Sequence, residues 1–247
     1  MPPWILKADK LCKHFFLHEL RRQIPSTFEI DLELQPGQLL AVSGPSGVGK
    51  SSLLKCIWRT YLPASGHLWL READGTVTDL AAASEQHMLT LRRTELGYVT
   101  QFLRCLPRKS ALDVVAQPLI ETGSPAEEAR ERAAQLLRRL NVPGHLWGVP
   151  PATFSGGEQQ RINLARGLIR PVRLLLLDEP TASLDPSSRD CAISLLRDLK
   201  EANIAMLAIF HDPALVAALA DGEVRVEPPP PVPEDSGMLG RPQGQAT

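Results

Sequence analysis

Gly44, Gly49, Lys50 and Ser51 occupy the fixed positions of G-x-x-x-x-G-K-[ST] in the run Gly44-Pro45-Ser46-Gly47-Val48-Gly49-Lys50-Ser51. This spacing suits a loop whose glycine backbone N–H groups wrap a polyphosphate, with lysine as a point charge and a hydroxyl for Mg²⁺. Four fixed positions recur by accident in on the order of one chain in a hundred of this length, so the flanks must support the match. Leu39-Leu40-Ala41-Val42-Ser43 is a short apolar run after the Pro36-Gly37 turn signal, as a buried strand requires, and Ser51 to Thr60 reads as a helix. A loop between strand and helix also gains the positive potential of the helix N-terminus.

A second set of chemical groups lies downstream. Asp178 ends the apolar run Leu174-Leu175-Leu176-Leu177, where a buried carboxylate is costly unless a cation or donors meet it. Magnesium is the expected partner. Glu179, one residue on, is placed to align and deprotonate a water for in-line attack. An isolated Asp-Glu pair would fit a helix cap equally well, and the phosphate loop upstream selects the catalytic reading. Gln101 has an amide that suits either a metal contact or a water, and His211, after the apolar run Ala205 to Phe210, can donate to a γ-phosphate. Phe15 or Phe16 can stack on an adenine face, although aromatics in a first strand also serve a core.

The elements that must hold these groups follow from periodicity. Phe28, Ile30, Leu32 and Leu34 alternate with polar neighbours, and Leu68-Trp69-Leu70 follows Gly66, which predicts a small antiparallel sheet beside the nucleotide. Gly97 to Thr100 predicts a strand ending at Gln101. From Ser110 to about Asn141 the pattern is helical, with Ser124-Pro125-Ala126-Glu127 read as a capping box with proline at the first helical position and Asn141-Val142-Pro143-Gly144 as the stop. A helical subdomain, at about residues 102–170, is thus expected between core strands. A helix is expected to open at Asp185-Pro186. Strands alternating with helices imply an α/β domain with a mainly parallel sheet over residues 1–227. Residues 228–247 begin with a proline run and read as a disordered tail.

Composition narrows the partners. The 247 residues carry 27 Lys plus Arg against 28 Asp plus Glu, so no strong field favours nucleic acid or an anionic membrane. The apolar runs fall short of the roughly 20 residues needed to cross a bilayer, and the Met1-Pro2-Pro3-Trp4 start does not resemble a signal peptide. A cytoplasmic protein with no direct membrane insertion is expected. Cys12, Cys56, Cys105 and Cys191 form no C-x-x-C pair, which argues against zinc, redox or disulfide roles.

Phe154-Ser155-Gly156-Gly157-Glu158-Gln159-Gln160-Arg161 makes the pattern specific. With the phosphate loop as Walker A, Gln101 as Q-loop, Leu174 to Pro180 as Walker B, Ala182-Ser183-Leu184-Asp185 as D-loop and His211 as switch histidine, the chain resembles the ABC ATPases from about residue 5 to 227. The resemblance implies a P-loop NTPase fold with a small antiparallel β subdomain and an inserted helical signature subdomain. It implies ATP and Mg²⁺ as cofactors. Catalytic groups are then Glu179, His211 and Gln101, and the metal is held by Ser51, Gln101 and Asp178. Nucleotide contacts come from Phe15, from Gly44, Pro45, Ser46, Gly47, Val48, Gly49, Lys50, Ser51 and Ser52, and from Ser155, Gly156, Gly157 and Glu158 reaching the ATP of a second ABC subunit, self or sibling.

Within that superfamily, Gln101-Phe102-Leu103-Arg104, Pro107-Arg108-Lys109-Ser110-Ala111-Leu112, Gln117-Pro118-Leu119, Leu140-Asn141-Val142-Pro143 and Ile209-Phe210-His211-Asp212 look like PhnL, the ATP-binding L subunit of the bacterial carbon–phosphorus lyase system. This resemblance implies soluble lyase subunits as partners and a place in making ribose 1-methylphosphonate 5-triphosphate from ATP and methylphosphonate. The lipoprotein-release and macrolide-export ATPases have similar signature segments, which supplies the alternative of a transporter motor. Arg104, Arg108 and Lys109 beside Leu103, Leu106 and Pro107 form the expected partner surface.

Overall fold

The structure, a computed structural model, describes residues 4–17, 22–103 and 108–228; Arg104 to Pro107 and the tail from residue 229 onward lie outside the described residues. Two sheets organise it. Strands β1 (Leu6–Leu17), β2 (Arg22–Leu34), β4 (Ser65–Arg71) and β5 (Val77–Asp79) form an antiparallel sheet in the order β2-β1-β4-β5. Strands β3 (Leu39–Ser43), β6 (Leu96–Val99), β7 (Leu174–Asp178), β8 (Ala205–Ile209) and β9 (Gly222–Arg225) form a parallel sheet in the order β6-β7-β8-β3-β9.

The alternation of side chains along each central strand divides the core in two. Leu39, Ala41, Leu175, Leu177, Met206 and Ala208 face a cluster built with α3 (Ala111–Glu121), α4 (Ala126–Arg139), α5 (Gly156–Leu168), α6 (Pro186–Glu201) and α7 (Pro213–Leu219). Leu40, Val42, Leu174, Leu176, Leu207 and Ile209 face the opposite cluster, which takes in α1 (Lys50–Ile57), α2 (Glu85–Thr94) and the inner face of the antiparallel sheet. Both faces are covered, so these strands are continuous apolar runs. Because β3, β6, β7 and β8 are parallel, their C-terminal ends share one edge of the sheet. Gly44, Gln101, Glu179 and His211 follow at that edge, where open α/β sheets bind ligands.

Several local expectations shift. The helix after the phosphate loop stops at Ile57 rather than Thr60, because Arg59 is left-handed (φ 63°) and its guanidinium donates to the carbonyls of Leu80, Ala81 and Ala83. The capping box expected at Ser124 is absent. Ser124 N–H instead donates to Leu119 O (3.1 Å), closing the end of α3, and Pro125 takes the N-cap of α4 without a side-chain cap bond. The helix stop at Asn141 is present in full: Asn141 is left-handed (φ 55°), its N–H meets Arg138 O, and Val142 N–H meets Leu137 O. Helices α2 and α7 and strands β5 and β9 stand beyond the elements expected above.

One close approach sets where α5 sits. A Cβ on Gly167 would come within 2.3 Å of Cγ2 of the fully buried Val99 in β6, so this helix packs against the strand at a distance that only glycine permits. Gly167→Ala is expected to cost about 1–3 kcal/mol in urea unfolding, as overpacking of a tight core does. Val99→Ala in the same chain should recover part of that loss; additive costs would contradict this packing.

Candidate nucleotide-hydrolysis site

The phosphate loop closes over a small hollow of about 230 Å³, lined by Ser26, Ser46, Gly47, Gly49, Lys50, Ser51, Ser52, Glu179 and His211. Gly49 has φ 107°, and a Cβ there would lie 1.7 Å from Ser26 O, so both the backbone conformation and the space demand glycine. Lys50 Nζ donates to Gly44 O (2.8 Å) and Pro45 O (2.7 Å), which holds the ammonium across the loop it serves. Ser26 was not foreseen: it comes from β2, and its Oγ donates to Ser52 Oγ (2.8 Å), joining the antiparallel sheet to the loop helix.

Asp178, 3% exposed at the end of β7, accepts from Ser51 Oγ (3.0 Å) and from Tyr98 OH (3.2 Å). Burial pushes its carboxyl above the ordinary range, and the two hydroxyl donors only partly offset this. A hydroxyl beside a buried carboxylate whose hydrogen-bond donors are neutral fits a divalent cation. Among the described residues no cluster of three or more His, Cys, Asp or Glu is placed to hold a metal alone. A hard cation at Ser51 and Asp178 would therefore complete its shell with phosphate oxygens and water, as Mg²⁺ does. Bound there, Mg²⁺ supplies charge that offsets the phosphates.

Glu179 turns the other way. Its backbone is left-handed (φ 52°), a conformation that costs a non-glycine residue roughly 1–2 kcal/mol and persists only when its surroundings hold it. Glu179 N–H donates to Ile209 O (3.2 Å) and its carbonyl accepts from Gln160 Nε2 (3.1 Å). Its carboxylate lies 2.6 Å, through Oε1, from His211 Nε2 and accepts from Gln101 Nε2 at Oε2 (3.1 Å). An ionised carboxylate only accepts, so His211 donates through Nε2. Gln101 therefore meets Glu179, and its amide makes no bond to Asp178 or Ser51. Glu179 and His211 line both the phosphate hollow and a second recess of about 380 Å³ reaching Arg189 and Asp212.

The signature residues stand apart. Ser155, Gly156, Gly157 and Glu158 line neither hollow. Ser155 caps α5 and forms a true capping box: its N–H and Oγ donate to Glu158 Oε2 (2.8 Å each), and Glu158 N–H donates back to Oγ. Those donors hold the Glu158 carboxyl below its usual range. Phe15 packs edge-on against Tyr61 (centroids 5.0 Å apart) under the Lys13 ammonium and does not line the phosphate hollow.

A phosphate loop on a parallel sheet, with a buried metal-directed carboxylate and a second carboxylate held beside it, defines a P-loop ATPase. The profile of the family described as ABC transporter matches residues 28–182, and the chain belongs to that family. It uses ATP with Mg²⁺. It is 37% identical over 216 residues to the lipoprotein-releasing system ATP-binding protein LolD of a Shewanella strain, spanning 87% of this chain and 90% of that protein. It is 34% identical to the macrolide export ATP-binding/permease protein MacB of Chromobacterium violaceum, over 79% of this chain but 30% of that longer protein. Among solved structures, the ATP-binding cassette MJ0796, a dimer in a post-hydrolysis state with ADP and Pi, superposes with a TM-score of 0.78 at 28% identity, covering 89% of this chain and 96% of that one.

Replacing Glu179 with glutamine retains shape and removes basicity. Glu179→Gln should bind ATP within about twofold of the native chain and turn over at least about a hundredfold more slowly, in line with the loss of a general base. Steady-state phosphate release and nucleotide titration check this, and native turnover would place the base elsewhere.

Proposed function

We propose that this chain is the nucleotide-binding motor of a membrane export or release system, acting at the cytoplasmic face on a permease supplied by a partner. The similarity to LolD across 90% of that protein carries the reading, and the MacB similarity, confined to 30% of a protein named for both ATP binding and permease, agrees with it. Among the described residues no helix is long and apolar enough to cross a membrane, so the reading assigns that task to the partner.

In this account the phosphate-loop amides and Lys50 bind the β- and γ-phosphates, Ser51 and Asp178 hold Mg²⁺, and Glu179 aligns and deprotonates the attacking water. His211 and Gln101 fix the Glu179 carboxylate and face the γ-phosphate. Ser155, Gly156, Gly157 and Glu158 serve the ATP of a second ABC subunit; their place away from their own phosphate hollow, with Ser155 and Gly156 exposed, supports that division. Phe15 remains the base-stacking candidate. The ABC ATPase domain is assigned to residues 1–227, with its helical subdomain at about 102–170.

The partner surface is revised from the sequence expectation. Leu103 packs against the helical core and Lys109 Nζ donates to Gln117 Oε1 (2.6 Å), while Arg104, Leu106 and Pro107 lie outside the described residues. Phe102, 71% exposed beside Gln101, is the apolar anchor instead. A cleft of about 430 Å³ between α3, α5 and β6, walled by Trp58 and Tyr98 and bearing Arg93, is the adjoining recess.

The carbon–phosphorus lyase reading rests on short segments between Gln101 and Gly123, at Leu140 to Pro143 and at Ile209 to Asp212, and we rank it second to the transporter reading. A tagged pull-down from detergent-solubilised cells, with the chain in its Glu179→Gln form and ATP present, separates the two. The account expects a membrane permease, lost with Phe102→Asp while ATP binding persists; recovery of soluble lyase subunits would overturn it.

A further inference from the structure

Gln160 is a polar side chain buried to 5% exposure in the second turn of α5. Burying an amide is costly unless it is hydrogen-bonded, and its Nε2 donates to the backbone carbonyl of Glu179 (3.1 Å). That carbonyl belongs to the residue held at φ 52°. A left-handed glutamate needs its peptide groups fixed from outside: its N–H donates to Ile209 O, and its carbonyl accepts from Gln160 Nε2 (3.1 Å) and, at a longer 3.4 Å, from Ala182 N–H, so Gln160 supplies the side-chain restraint.

The same helix grips the other loops of the site. At its first turn, a Cβ on Gly157 would come within 2.9 Å of Ser183 O, so the Ala182 to Asp185 loop rests on it. Arg161 Nη1 donates to Ser188 Oγ (2.7 Å), and Asn163 Nδ2 donates to Thr100 O, the residue before Gln101. Gly157 and Gln160 are separated by three residues, about 4.5 Å along the axis. Gln160 and the N-terminal turn thus belong to one hydrogen-bonded helix.

We infer that Gln160 is a positioning residue that ties the conformation of Glu179 to the nucleotide engaged at the N-terminus of α5, so that the partner's ATP, met by Ser155 and Gly157, sets the hydrolytic carboxylate of this chain's own site. The inference rests on the proposed hydrolytic role of Glu179 and on the shared site across a dimer. It adds a route by which occupation of one site prepares the other.

The test uses the full chain with Gln160→Met, which retains length and apolar stem without the donor, and with Gln160→Asn, which retains an amide that falls short. Turnover should fall at least about tenfold, toward the roughly hundredfold that a 1 Å misplacement costs, with KM for ATP within about twofold. The Hill coefficient for ATP should fall toward one. In the Glu179→Gln background, ATP-dependent dimerisation followed by sedimentation should be unchanged by either substitution, an outcome that a merely structural role for Gln160 would not give. Native kcat and Hill coefficient in either variant, or weakened dimerisation in step with kcat, overturns the inference. If Glu179→Gln with native Gln160 gives no ATP-dependent dimer and hydrolyses normally, the underlying reading of the site falls and the inference with it.

Discussion

Asp178 and Glu179 are adjacent residues of like charge at the end of one buried strand, and the backbone reversal at Glu179 sends their carboxylates in different directions. Successive side chains of a strand already alternate in direction, and Glu179 still adds to the proton affinity that burial gives Asp178. The left-handed turn fixes where the second carboxylate goes. Asp178 faces the hydroxyls of Ser51 and Tyr98 in a buried setting, and Glu179 faces His211 and Gln101 at the rim of the phosphate hollow. The proposed division of labour, one carboxylate for the metal and one for the water, follows from this single strained residue.

The rest of the fold maintains that turn. The parallel register brings Asp178 opposite Ile209, whose carbonyl takes the N–H of Glu179, and the chain leaving β8 at Ile209 delivers His211 two residues later. Helix α5 supplies the other restraint through Gln160, and α5 is itself fixed by the glycine contact with Val99 and by its capping box. The antiparallel sheet contributes Ser26, which ties Ser52 and packs its carbonyl over Gly49. Apart from the local capping box, each brace joins segments separated in the chain.

That distance decides what was legible in the sequence. Gly44 to Ser51, Ser155 to Glu158 and Leu174 to Glu179 are local patterns whose chemistry is written in consecutive residues, and the strands that carry them are apolar runs bounded by turns. Ser26 and Tyr98 reach the site across long separations with no motif to mark them, and Gln160, although it lies within the Phe154 to Arg161 run, shows nothing in consecutive residues of the bond its amide makes to Glu179 O. The positive φ of Glu179 is equally silent, because glutamate is not a residue that advertises a left-handed turn. The S-x-x-E pattern occurs at both Ser124 and Ser155; only the second caps a helix, since the Ser124 N–H is spent closing α3. Four-residue β9 has a single fully committed core side chain, Val224, too little for periodicity to reveal. The superfamily was readable from motif order, whereas the finer resemblance to a lyase subunit leaned on loop words, and the relatives found by comparison carry transporter names instead.

The division between the two carboxylates is tested most directly by the Mg²⁺ dependence of ATP affinity, measured by titration calorimetry with and without the metal, in Asp178→Asn and Glu179→Gln side by side. The account predicts that Mg²⁺ strengthens ATP binding in the native chain and in Glu179→Gln, and that Asp178→Asn loses this enhancement. Equal enhancement in all three chains, or its loss in Glu179→Gln with retention in Asp178→Asn, would contradict it.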